Sequence, residues 1–67
     1  MEIVETFRDP SGAPVWVLRS GGRYFIYLPS EEEAALGRPL RAPRAQIQGP
    51  YGDLGEALTG LSELFSP

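Results

Sequence analysis

The sequence predicts an α+β domain: a three- to four-stranded antiparallel sheet in β-β-β-α order, with a short extra helical turn after the third strand and one C-terminal helix packed on one face. Three observations carry this expectation. Three strand-like runs, separated by turn signals, occupy the first 28 residues. The last quarter, Asp53-Leu54-Gly55-Glu56-Ala57-Leu58-Thr59-Gly60-Leu61-Ser62-Glu63-Leu64-Phe65, reads as a capped amphipathic helix, and such a helix needs a sheet to cover. With 67 residues, the chain is a single domain over 1–67.

Glu2-Ile3-Val4-Glu5-Thr6-Phe7-Arg8 is rich in β-branched residues and alternates Ile3, Glu5 and Phe7 against Val4, Thr6 and Arg8, the period of a strand. Asp9-Pro10-Ser11-Gly12 follows as a turn, because proline presets φ at its second position and glycine suits its fourth. Val15-Trp16-Val17-Leu18 is the second strand. Gly21-Gly22 stands at the two-residue spacing of a tight hairpin, and Arg23-Tyr24-Phe25-Ile26-Tyr27-Leu28 is the third strand.

Pro29-Ser30 ends that strand. Ser30 with Glu33 forms a capping box over Glu31-Glu32-Glu33-Ala34-Ala35-Leu36, closed by Gly37, which predicts one or two helical turns. Three carboxylates at a helix N-terminus complement its dipole, so a structural role is expected for Glu31 to Glu33 rather than a metal or catalytic one. Arg38-Pro39-Leu40-Arg41-Ala42-Pro43-Arg44 reads as an irregular extended link. Ala45-Gln46-Ile47-Gln48 could add a short fourth strand before Gly49-Pro50-Tyr51-Gly52 turns the chain. In the final helix Asp53 is the N-cap and Glu56 its capping-box partner, with Leu54, Ala57, Leu58, Leu61, Leu64 and Phe65 on one stripe. Gly60 interrupts that stripe at a cost of about 1 kcal/mol relative to alanine, unless a strand approaches closely there.

Strands two and three are apolar on both faces: Val15 and Val17 oppose Trp16 and Leu18, while Tyr24 and Ile26 oppose Phe25 and Tyr27. A single helix covers one face. The other is expected to meet a second protein surface, unless a curled sheet buries both faces itself. Trp16, Leu18, Phe25 and Tyr27 are the expected oligomer or partner interface; if the helix takes the opposite face, Val15, Val17, Tyr24 and Ile26 replace them. A small core favours this reading. A chain of this size buries only about 60% of its unfolded surface, and without cysteine or histidine it has neither disulfide nor ordinary zinc staple. Oligomerisation, as a dimer or tetramer, is the staple left.

Composition narrows the functional classes. Without His, Cys or Lys, the commonest general bases and nucleophiles are missing, no Ser lies in a nucleophile elbow, and Gly21-Gly22 belongs to no phosphate-binding loop. The acid pairs Glu2 with Glu5 and Glu56 with Glu63 fall where solvated strand and helix surfaces are expected. A non-enzyme with no cofactor and no metal is expected. The net charge of −3 argues against a nucleic-acid-binding face. The competing reading places RNA on Arg38, Arg41 and Arg44, spaced three apart, with stacking from Tyr24, Phe25, Tyr27 and Tyr51; the same arginines can equally pair with the Glu31–Glu33 run. No charged-then-apolar leader opens the chain and no apolar run approaches a membrane span, so a cytoplasmic, soluble protein is expected. All six basic residues are arginine, there is no asparagine, and glycine plus proline fill 15 of 67 positions, above the average of about 12%. A GC-rich genome accounts for this bias, and a thermophilic source fits it as well.

Two stretches carry a family resemblance. Arg23-Tyr24-Phe25-Ile26-Tyr27-Leu28-Pro29, a strand that follows a tight glycine turn and ends in proline, resembles the second strand of HicB-type antitoxin domains. Gly52-Asp53-Leu54-Gly55-Glu56-Ala57-Leu58 resembles that family's helix start, in which a small polar cap precedes Leu and then Glu-Ala-Leu. The resemblance implies a β-β-β-α unit of partial RNase H-like or double-stranded-RNA-binding-domain-like topology, without enzymatic activity, assembled as a dimer or higher oligomer. It further implies a role in sequestering a small RNA-cleaving toxin. The Glu-rich turn and the Arg-Pro link are additions to the family pattern.

Overall fold

The computed structural model describes residues 2–40 and 46–65. Four antiparallel strands, β1 (Glu2–Arg8), β2 (Pro14–Ser20), β3 (Arg23–Leu28) and β4 (Gln46–Tyr51), lie in the order β1-β2-β3-β4. Helix α1 (Glu31–Leu36) follows β3, and helix α2 (Leu54–Leu64) follows β4. This is the α+β architecture expected from the sequence, with the fourth strand and the short helix both present.

The turns follow local chemistry. Asp9 organises the β1–β2 loop: its carbonyl accepts from Gly12 N–H at 2.9 Å, and its Oδ1 accepts from the amides of Ser11 and Ala13, each at 2.9 Å, and from the Ser11 hydroxyl. These bonds hold the Asp9 carboxyl below its ordinary range, the Ser11 hydroxyl contributing most. Gly21 and Gly22 both take positive φ, 59° and 76°, and close the β2–β3 hairpin with Ser20 opposite Arg23. Ser30 and Glu33 make the reciprocal capping box, and Gly37 N–H donates to Glu33 C=O at 2.8 Å beyond the last turn.

β4 differs from expectation. It continues through Gly49-Pro50-Tyr51, which the sequence assigns to a turn, and Tyr51 pairs with Tyr24. The register slips there, with one extra β4 residue facing the Tyr24–Ile26 stretch. Gly49 makes the bulge feasible: its φ is 133°, and a Cβ would stand 3.0 Å from the Tyr24 carbonyl oxygen and 3.1 Å from the Phe25 ring. Ala45, the expected first residue of this strand, lies outside the described residues. A second bulge, at Val4, lets Ile3 face Leu18 and Glu5 face Val17.

α2 packs on the face formed by Val15, Ile26, Phe7, Leu28 and Tyr51, where Leu61 joins the core and Leu64 and Phe65 close over it. Ala57 and Leu61 are its buried positions, whereas Leu58 is 38% exposed at the margin of the predicted stripe. Asp53 caps the helix, its Oδ1 accepting from Glu56 N–H at 2.8 Å. The Glu56 side chain, however, accepts from Gly52 N–H at 2.9 Å rather than from Asp53, so the box closes one residue earlier than expected. Gly60 has a packing reason: a Cβ there would meet the Tyr51 hydroxyl at 2.5 Å and its ring carbons at 2.8 and 2.9 Å. The close approach that the sequence requires for a mid-helix glycine is therefore made by an aromatic side chain of β4.

Candidate partner-binding surfaces

The opposite face of the sheet carries Trp16, Leu18 and Tyr27, with Ile3 packed against them. Trp16 and Tyr27, cross-strand neighbours, stack with ring centroids 5.9 Å apart and planes 7° from parallel. With α2 on the Val15/Ile26 face, the set Trp16, Leu18, Phe25 and Tyr27 lies away from the helix, and Val15, Val17 and Ile26 are core beneath or beside it. Tyr24, half-buried, shares the α2 side.

The chain itself buries much of this second face. Trp16 is 4% exposed, Leu18 0% and Tyr27 2%, while Phe25 is half-buried. On this side the short helix supplies a polar anchor. The Tyr27 hydroxyl donates to the fully buried Glu33 carboxylate, which also accepts from Ser30 N–H at 3.0 Å and Leu40 N–H at 2.8 Å. A buried carboxylate is costly unless hydrogen-bonded, and here it has three donors. Burial pushes the Glu33 carboxyl upward, but these bonds outweigh it and bring it down to about 2. The Tyr27 phenol moves the other way, up to about 12, through burial and through its bond to the carboxylate. One residue thus caps α1 and ties both the helix and the chain at Leu40 to the sheet.

On this side Thr6 and Arg23 are exposed polar residues, and the accessible apolar atoms lie towards β4 and α1. Ile47, opposite Tyr27 on the outermost strand β4, is 52% exposed. It borders a shallow hollow of about 90 Å³ with Leu18, Ser20 and Phe25. Leu36 at the end of α1 is 54% exposed, and Leu40, held by Glu33, is 38% exposed. Sequence alternation singled out Phe25 but missed Ile47, because the accessible residue is decided by which strand lies at the edge.

The arginine candidates do not form a described cluster. Arg38 is exposed beside Gly37, whereas Arg41 and Arg44 lie outside the described residues. Neither acid pair stands as a pair of free carboxylates: Glu2 joins Arg19 across β1 and β2, and Glu56 is bonded to the Gly52 amide. Among the described residues, no three acidic side chains converge as a metal site, and no helix is long and apolar enough to cross a membrane. The fold and its surfaces define the class as a small α+β module with a buried polar anchor and an apolar sheet margin. In comparisons with protein-family models, curated proteins and solved structures, nothing matches the chain.

Proposed function

We propose that the chain is a non-enzymatic protein-binding module that self-associates through the side of the sheet opposite α2. Trp16, Leu18 and Tyr27 form the rigid floor of that surface, and Phe25 with Ile47 makes the contact. The observation that carries the reading is Ile47: a β-branched side chain in an outer strand, 52% exposed on an apolar face, at the rim of a hollow over Leu18 and Phe25. The sequence has no cysteine or histidine, hence no disulfide or ordinary zinc staple, and a second copy would supply buried area in their place.

In its finer form the module is an orphan HicB-like antitoxin domain that binds a small RNA-cleaving toxin. Support comes from the two resembling stretches, which correspond to β3 with its terminal proline and to the capped start of α2, in the order the family requires. Sedimentation velocity at micromolar concentration tests the general reading. A dimer or tetramer is expected, and Ile47→Asp is expected to give a monomer that melts at an unchanged temperature. A wild-type monomer throughout contradicts it. Retention of a small protein by the tagged chain after nuclease treatment of native lysate tests the finer one; recovery of nuclease-sensitive RNA with no protein contradicts it.

A further inference from the structure

On the α2 side, an open groove of about 790 Å³ runs between β4 and α2. Gln48 and Tyr51 line its strand side, and Glu56, Thr59 and Glu63 line its helix side. Three features make this groove more than a gap between elements. First, β4 is the last strand of the sheet and among the described residues pairs only with β3, so one row of its backbone N–H and C=O groups faces outward. Pro50 has no N–H to offer, which limits the usable edge to Gln46–Gly49. Second, an exposed sheet edge is where extended peptides bind by adding a strand, and here α2 runs alongside that edge and supplies one wall for their side chains. Third, the charge has one sign. Glu56 and Glu63 stand two helical turns apart, about 10 Å along the axis, and among the described residues no arginine lines the groove. Glu63 is exposed and forms no ion pair among the described residues.

We propose that this groove takes an extended, arginine- or lysine-bearing segment of a partner protein, which adds to β4 as a fifth strand. Side chains of a strand alternate between faces. Every second residue of the bound segment therefore faces α2 and its two carboxylates, and the intervening residues fall on the side of the exposed Ile47. The recognised pattern is cationic residues alternating with apolar ones over about four positions. The main chain supplies binding through the open edge; Glu56 and Glu63 supply the selection for positive charge.

The test uses a capped, fluorescently labelled hexapeptide alternating arginine and valine, followed by fluorescence anisotropy with the full chain. Saturable binding is expected, weakened roughly five- to tenfold by Glu63→Lys at unchanged melting temperature, and absent for the peptide in which glutamate replaces arginine. Two further peptides carry N-methyl groups on one or the other alternate set of backbone amides. One is expected to lose binding and its counterpart to keep it, because only one set meets the β4 edge. No saturable binding at millimolar peptide, insensitivity to Glu63→Lys, or equal binding of both methylated peptides overturns the proposal. It stands apart from self-association: a wild-type monomer that binds the peptide removes the oligomer reading alone, and an oligomer that ignores the peptide removes this one alone.

Discussion

The two faces of the sheet have nearly the same composition and are closed in different ways. On one, an eleven-residue helix lays Leu61 on Val15 and Ile26, with Phe7, Leu64 and Phe65 around them and Ala57 buried as well. This is closure by apolar area, non-directional and tolerant of conservative change. On the other, a six-residue helix contributes a single buried side chain, Glu33, and the apolar atoms come from the sheet itself through Trp16, Leu18 and Tyr27. This is closure by a directional anchor, which depends on three donors meeting one carboxylate. A short helix buries too little area to hold its place by packing, so its position is set by hydrogen bonds. The consequence for function is that the second face ends in accessible apolar atoms at Ile47, Leu36 and Leu40, whereas among the described residues the first leaves Leu58 as its one exposed large apolar side chain.

Substitutions on the two faces should differ accordingly. The largest effect is expected at the centre of the α2 face, where Leu61→Asp places an unpaired charge among Val15 and Ile26. A loss of about 4 kcal/mol or more exceeds the reserve of so small a domain, and circular dichroism should show an unfolded chain; cooperative melting at the wild-type temperature would break the packing scheme. Gly60→Ala comes next. Helix propensity alone favours the change by about 1 kcal/mol, but the new methyl meets the Tyr51 ring, so a net loss of about 1–2 kcal/mol is expected in urea unfolding. A stabilised variant would show that Tyr51 moves away at no cost. The smallest effect belongs to the edge of the sheet: Arg19→Gln removes the ion pair with Glu2, whose side chains are 49% and 58% exposed, and should leave the melting temperature unchanged.

Much of this fold is written in local chemistry, and that part is legible from the chain. Asp9 to Gly12, Gly21-Gly22, Ser30 with Glu33 and Asp53 each act within a few residues of their own position, so spacing alone identifies the turns and caps they make. The alternation of Val15 to Leu18 likewise reveals two apolar faces before any tertiary contact is known. What escapes is long-range. The passage of β4 through Gly49-Pro50 depends on the Tyr24 carbonyl and the Phe25 ring coming close across the sheet, and no local pattern signals that approach. Glu33 reads as a capping residue because Ser30 lies three positions away; its bonds to Tyr27 and Leu40 need β3 and the link to meet at the same point. The accessible site shares this character. Glu63 and Gln48 are fifteen positions apart, and only the return of α2 along β4 makes them two sides of one groove.

The most direct test of the account is the acid limb of Glu33→Gln against wild type, read as melting temperature from pH 7 to pH 2. The folded-state carboxyl sits at about 2 against an ordinary 4.5, so its ionised form stabilises the fold above pH 4.5, and that stabilisation is lost as pH falls from 4.5 towards 2. Glutamine presents an amide where two N–H groups and a hydroxyl donate, and it does not titrate. The account predicts a variant that melts well below wild type at pH 7, with the difference shrinking steadily as the wild-type carboxylate is protonated. Equal melting temperatures at pH 7, or a difference unchanged at pH 2, would contradict the claim that one buried carboxylate holds the second face closed.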